Sequence, residues 1–356
     1  MRNGAENFLG IILHNKEERG LFIMRIGIVG TNTISDHFCK AAMQVPEAEV
    51  YAVYSRKRET GEQFAEKYEI TKVFDDYGQF LDSEIDAVYV ASPNIMHYEQ
   101  TMKALEHKKH VLCEKVMATN EREACEMRDC AVRNQVILLE AMRPDFDPAY
   151  LLIDKYLPEI GKIRRVTYEY CQYSSRYDRY KKGEVLNAFK PELSNAAIMD
   201  IGVYCIHSLV RLLGRPKSVK AYSAKLSNGF EGNGIVLMEY EDLVAEAVYS
   251  KISVSVNPSV IQGEDGSILI DSIGRPKQIE FRKRTGCRDA LSGSDMITIP
   301  YEPVENNMVF EVQEFVRLVK AGEVKHRYLE YTLDTMWIID EVRRQTGIVF
   351  PADLVL

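Results

Sequence analysis

Residues 25–38 read RIGIVGTNTISDHF, an apolar, β-branched run that breaks at Gly30 and continues in a helical pattern. A strand turning into a helix in this way is where a dinucleotide-binding domain keeps its glycine loop, Gly-x-Gly-x-x-Gly or Ala. Here only the first glycine is present; Asn32 stands at the second position and Ser35 at the third. In such a loop the first glycine makes the turn, the second lets the backbone approach a pyrophosphate, and the third allows close helix packing. Asn tolerates a left-handed backbone and Ser is small, so the loop remains geometrically able to hold phosphate. Read alone, it fits an ordinary strand–helix turn equally well.

Outward from this loop, EVYAVYS (49–55), IDAVYVAS (85–92), HVLCE (110–114) and VILLEAM (136–142) are further apolar runs of strand length, separated by amphipathic helical stretches. Strands alternating with helices predict right-handed crossovers and a parallel sheet covered on both faces, that is, an α/β doubly wound Rossmann domain over residues 24–144. The pattern changes at PDFDP (144–148). Two-residue alternations follow in KIRRVTYEYCQYS (162–174), SVKAYSAKL (218–226), GIVLMEY (234–240) and LVAEAVYSKI (243–252), which predict antiparallel strands. One helix interrupts them from about Asn195 to Leu213, closed by Gly214 and Pro216. Residues 145–356 are thus expected to form a second α/β domain on an open, mainly antiparallel sheet, which binds substrate and mediates oligomerisation. In LVAEAVYSKI, Leu243, Ala245, Ala247 and Tyr249 share one face, while Val244, Val248 and Ile252 share the other with Glu246 and Ser250. Helices can cover the first face; the second, half apolar, predicts a sheet-to-sheet homodimer.

The 356 residues are 46% hydrophobic, enough for two ordinary cores. A net charge of −8 argues against a nucleic-acid partner. No uninterrupted apolar run approaches the ~20 residues that span a bilayer, so no membrane partner is expected. Seven cysteines, scattered from Cys39 to Cys287 without a Cys-x-x-Cys pair or a histidine cluster, form neither a disulfide framework nor a metal site. A reducing cytoplasm is the simplest setting. Residues 1–23 read as an extension: FLGIIL is short for a signal sequence and runs into HNKEERG without a small-residue cleavage site. The natural start is expected at Met24, with a surface arm as the alternative.

The second strand should end beside the ribose of a bound dinucleotide, where an acidic residue would hold the 2′-hydroxyl of NAD. This sequence has Ser55, Arg56, Lys57 and Arg58 there. A hydroxyl followed by guanidinium groups suits the extra phosphate of NADP, so NADP is expected in preference to NAD; a solvated basic start to the next helix is the alternative.

In order and spacing, GTNTIS, SRKRETGEQFAEKY, VASPNIMHYEQTMKAL, VLCEKVMATN and IMDIGVYCIH resemble the glucose-fructose oxidoreductase and inositol dehydrogenase (Gfo/Idh/MocA) family from Met24 onward. The resemblance implies a Rossmann domain followed by a domain on an open antiparallel sheet. It implies cofactor contacts from Gly30, Asn32, Thr33, Ile34, Ser55, Arg56, Ser92, Pro93, Asn94, His97, Glu114 and Lys115. Lys115 closes the strand HVLCEK and matches the lysine of the family's Glu-Lys-Pro, which orients and polarises the reacting oxygen; the proline is replaced by Val116. Asp200 and Tyr204 match the family's aspartate and its tyrosine or histidine acid/base. Tyrosine at 204 resembles the glucose-fructose oxidoreductase, xylose dehydrogenase and dihydrodiol dehydrogenase branch.

Independently of the family, Asp200, Tyr204, His207 and Arg211 are spaced to share one helix face. That stripe is either the helix's exposed side or the lining of a cleft. Oxidising a carbinol sends hydride to a nicotinamide and a proton to a base, and reduction needs the same group as an acid. Free tyrosine, with a pKa of about 10, is a poor base at neutral pH, but a lysine about 4 Å away contributes on the order of 4 kcal/mol at an effective dielectric near 20. Lys115 is expected in that place. Tyr173, Arg176 and His207 are expected to contact substrate, with a surface loop and a helix-packing histidine as the alternatives for the same residues.

The expected activity is NAD(P)-dependent hydride transfer to or from a carbinol or carbonyl of a sugar, polyol or cyclic diol. The alternatives are a non-catalytic NAD(P)-binding sensor, which the family includes, and an NAD-dependent glycosidase.

Overall fold

The computed structural model describes residues 22–284 and 295–354; Cys287 and nearly all of the expected extension lie outside them. Six strands form the first sheet: β1 Met24–Val29, β2 Ala48–Tyr54, β3 Lys72–Phe74, β4 Ala87–Val90, β5 His110–Glu114 and β6 Leu138–Ala141. All are parallel, in the order β3-β2-β1-β4-β5-β6. Strands β4 and β6 are buried along their whole length because helices cover both faces, which is why they read as continuous apolar runs. The order reverses between β1 and β4, and the carboxyl ends there open a crevice.

The altered loop lies at that switch point. Gly30 takes φ +102°, and a Cβ on it would lie 2.8 Å from the Ala91 carbonyl oxygen, so the first glycine is required by both backbone and space. Asn32 differs from expectation. It is extended, at φ −94° and ψ −179°, and needs no left-handed tolerance. Its side-chain oxygen instead caps the helix Thr33–Ala42, accepting from the N–H groups of Ile34 (2.9 Å) and Ser35 (3.2 Å). Its amide group donates to the Ala91 carbonyl at 2.6 Å, strapping the ends of β1 and β4 together. Ser35 is fully buried in the helix contact.

The second sheet has eight strands: β7 Ile163–Cys171, β8 Ser218–Lys225, β9 Glu231–Glu239, β10 Val244–Ser250, β11 Ser259–Gly263, β12 Gly266–Ile270, β13 Ile279–Lys283 and β14 Asp295–Ile299. Their order is β14-β13-β12-β11-β7-β10-β9-β8. All neighbours are antiparallel except β7 and β10, which run parallel. The single helix expected from about Asn195 to Leu213 is divided: a π-helical turn, Ile198–Gly202, leads into the α-helix Val203–Leu213. This helix packs on the face of β10 that carries Ala245, Ala247 and Tyr249, all buried. Among the described residues, Pro191–Leu213 is the one stretch long and apolar enough to cross a membrane; it is mostly buried, as a core element.

The late helix Met308–Ala321 falls in the second half of the chain, yet Met308, Val312 and Phe315 pack with Ile28 and Phe38 of the first sheet's core. The six cysteines among the described residues are free.

Gly202 joins the π-turn to the helix, and a Cβ on it would sit 2.9 Å from the ring of buried Tyr249. Tyr249 cannot swing away without breaking its hydrogen bond to Glu231, 2.8 Å long. Gly202→Ala is therefore expected to destabilise the protein by about 1–3 kcal/mol through overpacking, read as a lower thermal unfolding midpoint than the wild type.

Candidate active site

The strand ends of the first sheet and the π-turn of the second domain enclose one cleft of about 1430 Å³. All twelve residues expected at a cofactor line it, and so do Asp200, Tyr204 and Arg176. Gly30 to Ile34, Ser55 with Arg56, and Ser92 to Asn94 with His97 line it from the neighbouring ends of β1, β2 and β4. His97 is buried and spans the carbonyls of Ser92 (2.9 Å) and Val116 (2.8 Å), which holds the ends of β4 and β5 in register. Asn94 is also tied across the cleft, donating to the Ser194 carbonyl and the Asn195 side chain at 3.1 Å each. The Lys115–Val116 peptide bond is cis.

A dinucleotide fits these residues. Gly30 keeps the loop free of a side chain where β1 meets β4, Ser92 Oγ is buried without a partner among the described residues, and Arg56 is exposed with no ion pair among them. No acidic residue follows β2 before Glu59.

At the inner end, Lys115 Nζ donates to the Asp200 carboxylate (2.9 Å) and to the Asp200 carbonyl (2.7 Å). It lies over the Tyr204 ring, 5.1 Å from the centroid, and not on its hydroxyl. The group that does meet that hydroxyl is Arg143, whose Nη2 donates to Tyr204 Oη at 3.1 Å. The expected lysine beside the tyrosine oxygen is thus corrected to an arginine there and a lysine above the ring. Asp200 has a second partner, Lys251 Nζ, at 2.5 Å. Burial pushes the Asp200 carboxyl up, but the two ammonium groups outweigh it and hold the acid well below the usual carboxylate range. The side chain is 39% accessible from the cleft, so solvent screens part of that field. Lys115 is held protonated: burial lowers its pKa, and Asp200 foremost, with Tyr204 and Glu114, together raise it by more.

Arg143 and Lys251 were not among the residues singled out from the sequence. Arg143 lies two residues beyond β6, and the strand-end rule that selects Lys115 selects it too. Lys251 directly follows β10, but an alternating strand carries no sign that its end faces a cleft.

His207 and Tyr173 do not reach the cleft. His207 is fully buried, with Nε2 2.8 Å from Asp145 and Nδ1 3.3 Å from Thr335. Only the first turn of the helix Val203–Leu213 borders the cleft. The polar stripe therefore runs from the cleft into the core, and on to Arg211, which pairs with Asp154 at 2.6 Å. Burial lowers the His207 pKa, but the charge and hydrogen bond of Asp145 together with the Glu140 charge outweigh it, so the group is a structural ion pair. Tyr173 donates to Asp178 at 2.6 Å and packs edge-on against Tyr177, buttressing the short helix Tyr177–Lys181.

Residues 24–142 match the family model described as an oxidoreductase family with an NAD-binding Rossmann fold, and residues 158–269 match the GFO/IDH/MocA C-terminal domain. The chain is 46% identical over 334 residues to scyllo-inositol 2-dehydrogenase (NADP(+)) of Bacillus subtilis, covering 93% of this chain and 99% of that protein. It is 26% identical to trans-1,2-dihydrobenzene-1,2-diol dehydrogenase of Danio rerio, with 93% and 99% covered. The fold is also that of a 3-ketoreductase from Actinomadura kijaniata solved with NADP, with a TM-score of 0.79, 22% identity, and 92% and 99% of the two chains covered. With motifs, both sheets and both domain models in agreement, the chain belongs to the Gfo/Idh/MocA family of NAD-binding oxidoreductases.

Proposed function

We propose that this protein is an NADP-dependent dehydrogenase that interconverts a ring carbinol and its ketone in a cyclic polyol of the inositol class. The observation that carries this reading is the placement of Tyr204 Oη at the inner end of the cleft, held by Arg143 and flanked by Lys115 and Asp200. The relative that is 46% identical is named for scyllo-inositol and NADP(+), and the cleft offers polar groups from Tyr170, Gln172, Arg176, Asn187 and Asn195 to a ring of hydroxyls.

When bound, the nicotinamide supplies the hydride acceptor or donor. Tyr204 takes the hydroxyl proton as the carbinol carbon gives up its hydride, and returns it in reduction. Arg143 donates to one lone pair of the Tyr204 oxygen, so the tyrosine's own hydrogen is directed away from it and toward the cleft. Lys115, held protonated by Asp200, supplies a charge that steadies the oxyanion of substrate or tyrosine. Arg56 and Ser55 would receive the 2′-phosphate of NADP. A sensor that only binds cofactor has no use for this proton-handling group.

Dimerisation through the second sheet belongs to the same reading. Helices cover one face only. On the other face Tyr222 is 74%, Val244 53% and Leu237 39% exposed, and Tyr222, Ile235 and Val248 line up in one row across β8, β9 and β10. Such a patch calls for a partner, and a second copy would supply the same face.

Tyr204→Phe is expected to abolish NADP(+)-dependent oxidation of scyllo-inositol while leaving NADP affinity within a few-fold; substantial retained turnover refutes the acid/base role. In thermal-shift titrations NADP should stabilise the wild type more than NAD does, and Arg56→Ala should cut NADP affinity about 10- to 100-fold with little effect on NAD. Equal shifts with both cofactors would refute the 2′-phosphate assignment. Sedimentation velocity should find a dimer, converted to monomer by Leu237→Glu with Val248→Glu; a monomeric wild type removes the interface.

A further inference from the structure

Lys251 is a charge that this proton transfer leaves unassigned. Its side chain is only 6% exposed; Nζ lies 2.5 Å from Asp200 Oδ2, while Lys115 takes Oδ1 at 2.9 Å. It also lies over the rings of Phe189 (5.2 Å) and Phe230 (5.6 Å) and donates to the Ala188 carbonyl at 3.3 Å. A buried ammonium is costly to desolvate and persists only where an opposite charge answers it. Among the described residues Asp200 is its one carboxylate partner within ion-pair distance.

The stoichiometry has a consequence for Tyr204. Lys115 and Asp200 alone would be a neutral pair, whose field on the phenol nearly cancels. Two ammonium groups and one carboxylate leave one positive charge.

We propose that Lys251 is a positioning residue for the proton transfer: by sharing the Asp200 carboxylate with Lys115 it leaves this group one net positive charge beside Tyr204, and so favours the tyrosine anion that accepts the substrate's proton. The proposal rests on Tyr204 as the acid/base.

The other groups around Tyr204 do not depend on Lys251. Arg143 meets its oxygen from the end of β6, and Tyr170 of β7 stands edge-on at 5.6 Å. Glu114 and Glu311 act on Arg143 from β5 and the helix Met308–Ala321. Glu231 of β9 is turned to the Ile198 amide and to Tyr249. Removing a cation disfavours the tyrosinate. In the oxidative direction the acceptor of the proton is the anion, so a change that disfavours it moves the rising limb of the rate to higher pH.

The test is the pH profile of kcat and kcat/KM for NADP(+)-dependent oxidation of scyllo-inositol. For Lys251→Met the rising limb should move up by about one to two pH units, so that kcat/KM at pH 7 falls about 10- to 100-fold and recovers at high pH. NADP affinity should be unchanged, and Lys251→Arg should keep the wild-type limb. Lys251→Gln, which can keep a hydrogen bond to Asp200 but not the charge, should move the limb as Lys251→Met does. Lys251→Gln, which keeps both Asp200 and Lys115, therefore remains a test if Lys251→Met does not fold. An unshifted limb in Lys251→Met or in Lys251→Gln, or a loss of rate equal at every pH, overturns the proposal. A wild type inactive on every polyol tried would instead overturn the dehydrogenase reading.

Discussion

The carboxylate of Asp200 is the contact on which the site depends. It lies between Lys115 from the first domain and Lys251 from the second, so one anion ties the two halves together across the cleft. Neither lysine would be stable in its buried place without it, because an ammonium with no counter-charge in a protein interior costs several kcal/mol. The π-turn Ile198–Gly202 presents that carboxylate, and it is held against β10 by the close approach of Gly202 to Tyr249. Packing in the second domain thereby fixes the place of a charge that acts on the first.

The reactive oxygen is managed separately from that carboxylate. Arg143 bonds Tyr204 Oη, whereas Lys115 faces the ring. Guanidinium keeps its charge at any physiological pH and has no lone pair to offer, so the direction of the phenol's hydrogen is set by Arg143 and not by the lysine. Arg143 is in turn set beside two acids. The Glu311 carboxyl has both oxygens without a partner among the described residues, and burial pushes its pKa well up, with the Glu114 charge adding to this and Arg143 opposing it. The inner cleft is therefore a graded field, positive at the tyrosine and acidic behind it.

The loop over residues 30–35 shows how far a motif can drift while its geometry survives. Gly30 is kept where a side chain would strike the Ala91 carbonyl. Asn32 replaces the second glycine by doing different work: it caps the helix and straps β1 to β4. A pattern of glycines alone scores this loop poorly. Its position after β1, ahead of a basic stretch and a strand-end lysine, is what made it legible, since those features report the chain's course and not the loop's details. The same kind of reasoning failed at His207 and Tyr173, where side chains of suitable chemistry turned toward Asp145 and Asp178.

The alternation of strand and helix periods, with strand ends that carry Gly30, Arg56 and Lys115, determined the fold class and one wall of the cleft, because in a parallel sheet the strand end is also the binding edge. Helical spacing joined Asp200 to Tyr204 but could not tell where the helix leaves the cleft and enters the core, so His207 was grouped with them. Arg143, Lys251 and the helix Met308–Ala321 reach their places only through tertiary packing. They come from strand ends and segments distant in sequence, and no local period records which buried charge will face which.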